Sequence, residues 1–422
     1  MVIVTINRRD FLKFSATYLA TLPLISFAAS KSKPHVVVIG GGYAGAVAAK
    51  YLRLWSRGNV QVTVIEPYTQ FISCPLSNLV LGGSKTIHDL TFGYDAIKNS
   101  HGINWIKDEV TAIDADARLV RMKRGQLSFD RVIIAPGIDF MYEQLPMLQS
   151  TEAQHVIPHA WKAGPQTVNL RLQLEAMVDG GVFVISIPKA PYRCPPGPYE
   201  RVCQVAHYLK STKPASKIIV LDANPEIVSK KDLFTKVWAE TYAGMIDYRP
   251  NSSLVDVDLK RRSVTTEFEA LGADVLNVIP PQRAGKVAQV AGVANVDKRW
   301  CEVDFLSYES RLIPNIHIIG DSVSAALPKS AHMATSQARI CANAIISLFN
   351  QVQPDPEPVF ANTCYSFIND KMAMHVANVY RYDAVKKMMI PAEGGGVSDF
   401  PSELEGDYAQ AWAKNIWSDV LT

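Results

Sequence analysis

Six cysteines, Cys74, Cys194, Cys203, Cys301, Cys341 and Cys364, are the most reactive side chains in the sequence. Thiolates attack sulfur and bind soft metals. A zinc centre is excluded by spacing: there is no CxxC pair and no histidine cluster nearby. A c-type haem on this chain is excluded as well, because CxxCH does not occur. Two roles remain open at this level, thiol–disulfide redox chemistry and the usual one of an inert buried thiol.

A second chemistry-bearing feature is the turn Gly40-Gly41-Gly42-Tyr43-Ala44-Gly45. In a GxGxxG turn, Gly40 permits the tight bend. Gly42 lets the backbone approach a pyrophosphate, and Gly45 lets the following helix pack close to the sheet. The helix N-terminus adds N–H donors and positive potential. Glu66 stands where a carboxylate accepts ribose hydroxyls, which fits FAD or NAD rather than NADP. Two further segments favour FAD. Arg131 to Gly137 is an apolar strand entering a turn, with Ala135 and Gly137 at the turn. Ile316 to Ile319 is another, ending in Gly320-Asp321. In two-dinucleotide flavoproteins such segments accompany FAD, and the aspartate holds the ribityl chain; Asp321 is also compatible with a helix cap. A helix beginning near Ser330 would aim its N-terminus at the flavin pyrimidine ring.

The elements that must position these groups read as alternating strands and helices. His35 to Glu66 is a complete βαβ unit, with a helix from Tyr43 to Trp55. A second begins near Gly180: strand Val182 to Ile187, helix Tyr199 to Lys210, strand Lys217 to Leu221 ending at Asp222. Its turn, Ile187 to Pro198, has no GxGxxG and carries five prolines, which lack the N–H groups that cradle phosphate. This predicts a dinucleotide fold without a nucleotide, hence no NAD(P)H, and a structural role for Asp222. A long helix follows from about Ala331 to Phe349. Gln351 to Pro358 reads as a linker. From Val359 on, the chain reads as aromatic and less regular, with a turn at Gly394-Gly395-Gly396.

The predicted fold class is α/β. Two Rossmann-like βαβ domains of the glutathione-reductase kind are joined to a smaller α+β C-terminal domain. The predicted boundaries are 1–28 for an export signal, 33–147 with 284–355 for the FAD domain, 148–283 for the NADH-domain-like unit and 356–422 for a C-terminal interface domain. The signal rests on the twin-arginine motif Asn7 to Lys13, the apolar stretch Phe14 to Phe27 and the cleavage site Ser26-Phe27-Ala28. It implies twin-arginine export to the periplasm. The apolar stretch is too short for a span and is broken by Pro23, so no stable membrane span is expected. The formal charge is +3, and removing the signal leaves the chain near neutral, with no electrostatic case for nucleic acid.

Five stretches carry a resemblance to a known family. They are Ser73-Cys74-Pro75-Leu76-Ser77-Asn78, Pro158 to Gly164, Arg193 to Arg201, Ile279 to Gly285 and Asn362-Thr363-Cys364-Tyr365-Ser366. With them the sequence resembles the flavoprotein subunit of flavocytochrome c sulfide dehydrogenase, over nearly the whole mature chain. The resemblance implies that Cys194 and Cys364 form a redox-active disulfide beside the flavin. Sulfide, as HS⁻, would attack one sulfur, giving a persulfide and freeing a thiolate, Cys364. It implies a thioether from Cys74 to FAD, although Pro75 replaces the aromatic expected at the next position. It places Glu200 near the disulfide as a base, with an ordinary helix N-terminal acid as the alternative. It places Trp412 near the flavin, with a core role as the alternative. Cys203, Cys301 and Cys341 receive no role. The haem would sit on a c-type cytochrome subunit in a heterodimer.

Two rivals remain. A sulfide:quinone oxidoreductase shares the FAD fold and the disulfide logic, but it calls for an amphipathic basic tail, and Tyr408 to Thr422 carries only one lysine. A non-catalytic FAD protein assisting a thiosulfate-oxidising system would have no need of both Cys194 and Cys364.

Overall fold

The computed structural model describes residues 32–422. The twin-arginine segment and its cleavage site lie outside the described residues.

The first βαβ unit builds the centre of a five-stranded parallel sheet. The strand order is Ile316–Ile318, Arg131–Ile134, His35–Ile39, Gln61–Ile65, Asn104–Ile106. Val36, Val37 and Val38 sit in the middle of it and are fully buried. A run of β-branched residues with no polar alternation suits a strand covered on both faces, which is what parallel sheets require. The helices Tyr43–Trp55 and Ala331–Phe349 pack along one another.

A second parallel sheet has the order Ile246–Arg249, Lys217–Asp222, Val182–Ile187, Val275–Val278. The helix after its central strand spans Gly197–Thr212, two residues longer at each end than its pattern predicts. Pro198 in its first turn has no N–H to lose there.

The C-terminal part differs from the expectation. It is a regular three-stranded antiparallel sheet, Val359–Phe367, Ala373–Asp383 and Met388–Val397, followed by a helix over Glu403–Leu421. Gly394, Gly395 and Gly396 form no turn; they lie inside the last strand, where the register slips between Asn378 and Val379. Gly395 has φ +145°, and a Cβ there would meet the Ala377 carbonyl oxygen at 2.6 Å. The glycines admit a bulge. The actual turn falls at Asp383 to Lys387, where Asp383 Oδ1 accepts from the Val385 and Lys386 N–H groups at 2.9 Å each. Among the described residues no helix is long and apolar enough to cross a membrane, and no group of acidic, histidine or cysteine side chains could hold a metal.

Candidate flavin and cysteine site

The glycine turn is built by exclusion. A Cβ on Gly40 (φ +105°) would meet the Ala135 carbonyl oxygen at 2.4 Å, and one on Gly45 would meet the Gly40 oxygen at 1.9 Å. Gly42 is different: nothing lies within 4 Å of its missing Cβ. It stands at the N-cap of the helix Tyr43–Trp55 and opens onto free space, as a phosphate cradle must. Glu66 ends the second strand facing this turn. Its Oε2 accepts from Gly41 N–H at 2.6 Å and its Oε1 from Tyr68 N–H at 2.9 Å. Two of its roughly four acceptor positions remain for ribose hydroxyls.

Gly137 (φ +65°) and Gly320 (φ +78°) close the turns after the neighbouring strands Arg131–Ile134 and Ile316–Ile318, and the Ser322 hydroxyl donates to the Gly137 carbonyl at 2.6 Å. Asp321 is the most telling residue of this part. Its Oδ1 is buried and has no hydrogen-bond partner. Burial raises its pKa, although Arg193 and Lys329 stand near it. A buried carboxylate oxygen without a partner calls for a donor from a ligand, and a ribityl hydroxyl is such a donor. A small cavity of about 10 Å³ lies here, lined by Asp321, Lys329, Ser330 and Gln337 among others. These features fit FAD.

The two cysteines converge at one helix N-terminus. Ser330 caps the helix Ala331–Phe349, accepting from Met333 N–H at 3.1 Å. Its hydroxyl also donates to Asn362 Oδ1 at 2.5 Å, and Asn362 Nδ2 approaches Cys364 Sγ at 3.7 Å. On the other side, Cys194 N–H donates to the Lys329 carbonyl at 2.7 Å, one residue before the cap. Cys194 has φ +59°, a strained conformation for a residue with a side chain. Burial, then Cys364 and Glu200, raise the Cys194 pKa. Burial raises that of Cys364 too, against Lys230, Asn362 and Ser330. All six cysteines are free in the structure, so the expected Cys194–Cys364 bond is not formed there.

Glu200 is buried at the start of the helix Gly197–Thr212. Its Oε1 accepts from Phe367 N–H at 2.9 Å and its Oε2 from Asn78 Nδ2 at 2.8 Å. Burial raises its pKa above the usual carboxylate range. A carboxylate poised in this way can take and return a proton. Cys74 lies on the loop that precedes Asn78, with the Arg193 guanidinium near it.

Several residues at the site gave no sequence signal. Burial works against the charge of Arg193, but Cys74, Asp321 and Cys194 more than offset it. This one guanidinium thus faces three residues assigned to separate roles. Lys329 donates to the Asp321 and Val323 carbonyls at 2.8 and 2.7 Å and lies 3.9 Å from the centre of the Trp300 ring. Burial lowers its pKa to about 8. Asn78 donates to both Glu200 and the Gly197 carbonyl and accepts from Arg201 Nε at 3.1 Å, joining the Cys74 loop to the Cys194 helix. Trp412 is partly buried, with ring centres 6.2 Å from His332 and 6.0 Å from Tyr365, the neighbours of this site.

The comparisons with known proteins agree with this geometry. Residues 167–280 match a family model described as sulfide dehydrogenase (flavocytochrome c) flavoprotein chain, central. Residues 356–421 match flavocytochrome c sulphide dehydrogenase, flavin-binding, and residues 34–160 match pyridine nucleotide-disulphide oxidoreductase. The sulfide dehydrogenase flavoprotein chain of Chlorobaculum thiosulfatiphilum is 53% identical over 45 residues, 11% of this chain and 92% of that sequence. The chain belongs to the flavocytochrome c sulfide dehydrogenase flavoprotein family. It is a flavin-dependent sulfide oxidoreductase, and its cofactor is FAD. The mitochondrial sulfide:quinone oxidoreductase of Mus musculus is 24% identical over 371 residues, 82% of this chain and 78% of that protein. The sulfide:quinone oxidoreductase of Aquifex aeolicus has the same fold, with a TM-score of 0.74 at 18% identity over 92% of this chain and 91% of that one. In this family the C-terminal part is described as flavin-binding, and it is the part that supplies Cys364.

Proposed function

We propose that this chain is the sulfide-oxidising half of a sulfide:cytochrome c oxidoreductase and that a disulfide between Cys194 and Cys364 is its working group. The observation that carries the reading is the meeting of Cys194 and Cys364 at the N-terminus of the helix Ala331–Phe349, beside Asp321. In the oxidised form, HS⁻ attacks Cys194 Sγ. A bond forms between the two sulfurs, the Cys194–Cys364 bond breaks, and its electron pair leaves on Cys364. Glu200 takes a proton from H₂S or a thiol. The net change converts HS⁻ to sulfur at the elemental level, one proton and two electrons. FAD, when bound, accepts the electron pair and releases it one electron at a time. Gly42, Glu66 and Asp321 would hold it, and the family resemblance supports a thioether from the Cys74 sulfur. Sulfur leaves as sulfur or polysulfide.

The acceptor is a haem on a separate c-type cytochrome subunit, forming a heterodimer. The family membership supports this, as does the terminal helix, whose first turn carries Glu403 and Glu405 and whose length holds one lysine, Lys414. A helix of that charge suits a soluble partner better than a lipid surface. The donor is sulfide and not NAD(P)H, a reading supported by the prolines of Ile187 to Pro198. The twin-arginine motif supports a periplasmic location.

The 24% identity with a sulfide:quinone oxidoreductase over 371 residues favours a second acceptor, a quinone. Steady-state sulfide oxidation with horse cytochrome c or with decylubiquinone separates the two. The expected result is at least tenfold faster turnover with cytochrome. Faster turnover with quinone overturns the cytochrome assignment. Flavin that stays with the acid-precipitated chain, and is released in a Cys74→Ser variant, establishes the thioether; flavin in the supernatant of the unaltered chain refutes it.

A further inference from the structure

Lys230 is a buried cation that the sulfide mechanism leaves unused. Only 8% of its surface is exposed. Its Nζ donates to the Cys364 carbonyl at 3.1 Å, the Ser366 hydroxyl at 2.8 Å and the Met374 carbonyl at 3.4 Å. Those are three uncharged acceptors for the three N–H bonds of an ammonium. Among the described residues it makes no ion pair. The residue has φ +53°, off the helical path, as it leads into the helix Lys231–Glu240. Its backbone is thus set to send the side chain into the sheet that carries Cys364.

Four ionisable groups face this ammonium from the elements around it. They are Cys364 on the strand Val359–Phe367, Cys194 on the proline turn, Glu200 on the helix Gly197–Thr212 and Glu405 on the terminal helix. Arg201 acts on Glu200 alongside Lys230. Its direct ligands are all neutral and neither Glu200 nor Glu405 reaches ion-pair distance, so the ammonium is incompletely compensated while the cysteines are neutral. It becomes compensated when a thiolate appears on Cys364. The three hydrogen bonds hold the charge in place, so little reorganisation is needed at that moment.

We infer that Lys230 is the positioning cation of the sulfide reaction, holding its charge beside Cys364 so that Cys364, and not Cys194, leaves as the thiolate. This rests on the disulfide reading given above. The sulfur of HS⁻ bonds to Cys194 Sγ, the S–S bond breaks, and the electron pair settles on Cys364 Sγ. The persulfide stays on Cys194. The two sulfurs are unlike by construction. On Cys364, Lys230 is the leading influence favouring charge, joined by Asn362 and Ser330 against Glu200; on Cys194, Cys364 and Glu200 work against charge and outweigh the help of Arg193 and, last, Lys230. The better-stabilised thiolate is the better leaving group, which directs the attack.

The test uses the full FAD-bound chain and its Lys230→Met, Lys230→Arg and Cys364→Ser variants. After anaerobic reduction, alkylation of Cys364 by iodoacetamide is followed across pH by peptide mass spectrometry. Lys230→Met is expected to give a roughly tenfold smaller thiolate fraction at a given pH and about tenfold slower reduction of the flavin by sulfide. Lys230→Arg is expected to recover most of both, and Lys230→Met to melt no lower than the parent. An unchanged alkylation profile in Lys230→Met overturns the inference, as does Lys230→Arg failing as badly as Lys230→Met. If Lys230→Met does not retain FAD, Ser366→Ala replaces it: releasing one ligand of the ammonium must move the profile the same way, and no movement counts against the inference. The disulfide reading fails separately, if Cys364→Ser is reduced by sulfide as fast as the parent. The alkylation profile still reports the coupling of Lys230 to Cys364 in that case.

Discussion

The two βαβ units share a fold and differ at the turn. In the first, Gly40, Gly42 and Gly45 bring backbone N–H groups to the surface of the turn, and Glu66 keeps acceptor capacity for a ligand. In the second, Pro188, Pro191, Pro195, Pro196 and Pro198 occupy the equivalent stretch. Its strand-ending acid is used up. Asp222 Oδ2 accepts from the Tyr199 and Tyr248 hydroxyls at 2.8 and 3.0 Å, and Oδ1 accepts from Asn224 N–H at 2.9 Å and Asn224 Nδ2 at 2.7 Å. Four donors fill its four acceptor positions. The turn of the second unit carries Cys194 where the first carries its glycines, and on the proposed reading it holds that cysteine in place of a dinucleotide. Fold alone does not decide ligand; the turn residues do.

Substitutions at the glycines should break the comparison most severely. Gly45→Ala forces a Cβ to 1.9 Å from the Gly40 carbonyl oxygen. Neither is free to move, so the variant should lose FAD and fold poorly, read by flavin absorbance per chain and by thermal melting. Gly42→Val is the sharper probe. Its side chain enters open space, so the chain should fold with an unchanged apoprotein melting temperature while FAD content drops below about a tenth. If Gly42→Val keeps its FAD, the phosphate cradle has been misplaced. Asp321→Ala removes the acceptor of a charge-assisted hydrogen bond, worth about 1.5–3 kcal/mol, so any reversible FAD binding should weaken roughly ten- to hundredfold in equilibrium dialysis.

The pH dependence comes next in size. Sulfide-driven flavin reduction should rise as Glu200 loses its proton, at a pH above the ordinary carboxylate range. It should fall above about pH 8, where Lys230 loses its own, because burial lowers its pKa to about 8 from 10.5. Stability should move the other way. Between about pH 8 and 10 the unfolded chain holds the proton that folded Lys230 has released, so stability rises with pH through this window. Lys329, also lowered to about 8, acts in the same direction. Each contributes on the order of 3 kcal/mol across the full interval. Chemical denaturation at pH 7.5 and 9.5 checks the sign. Tyr248→Phe is expected to have the smallest effect. It removes one of four donors to Asp222, costing about 1–2 kcal/mol of stability and leaving FAD content and sulfide kinetics unchanged. A loss of FAD in that variant would mean the second unit still serves a nucleotide.

Much of this was legible in the sequence, and the gaps have physical causes. The first βαβ unit announced itself because glycine spacing, apolar runs and a terminal acid are all local signals. Asp222 looked structural once its turn lacked glycines. Cys194 and Cys364 were visible as a pair only through the resemblance, since nothing local links a proline turn to a strand far along the chain. The α+β character of the C-terminal part is legible in the sequence, but its regular strands are not, because glycine normally marks turns, and here Gly394 to Gly396 serve a bulge instead. Lys230, Lys329, Arg193 and Asn78 were overlooked for a different reason. Lysine, arginine and asparagine in a sequence read as solvated surface. Only folding shows that these four are drawn inward to face cysteines and carboxylates.

The central claim is that sulfide electrons enter through the Cys194–Cys364 pair. An anaerobic titration of the oxidised flavoprotein with sodium sulfide, followed at the flavin absorbance maximum beside a Cys364→Ser variant, tests it most directly. The account predicts stoichiometric bleaching of the parent and a variant that stays oxidised. Equal bleaching of both would contradict it.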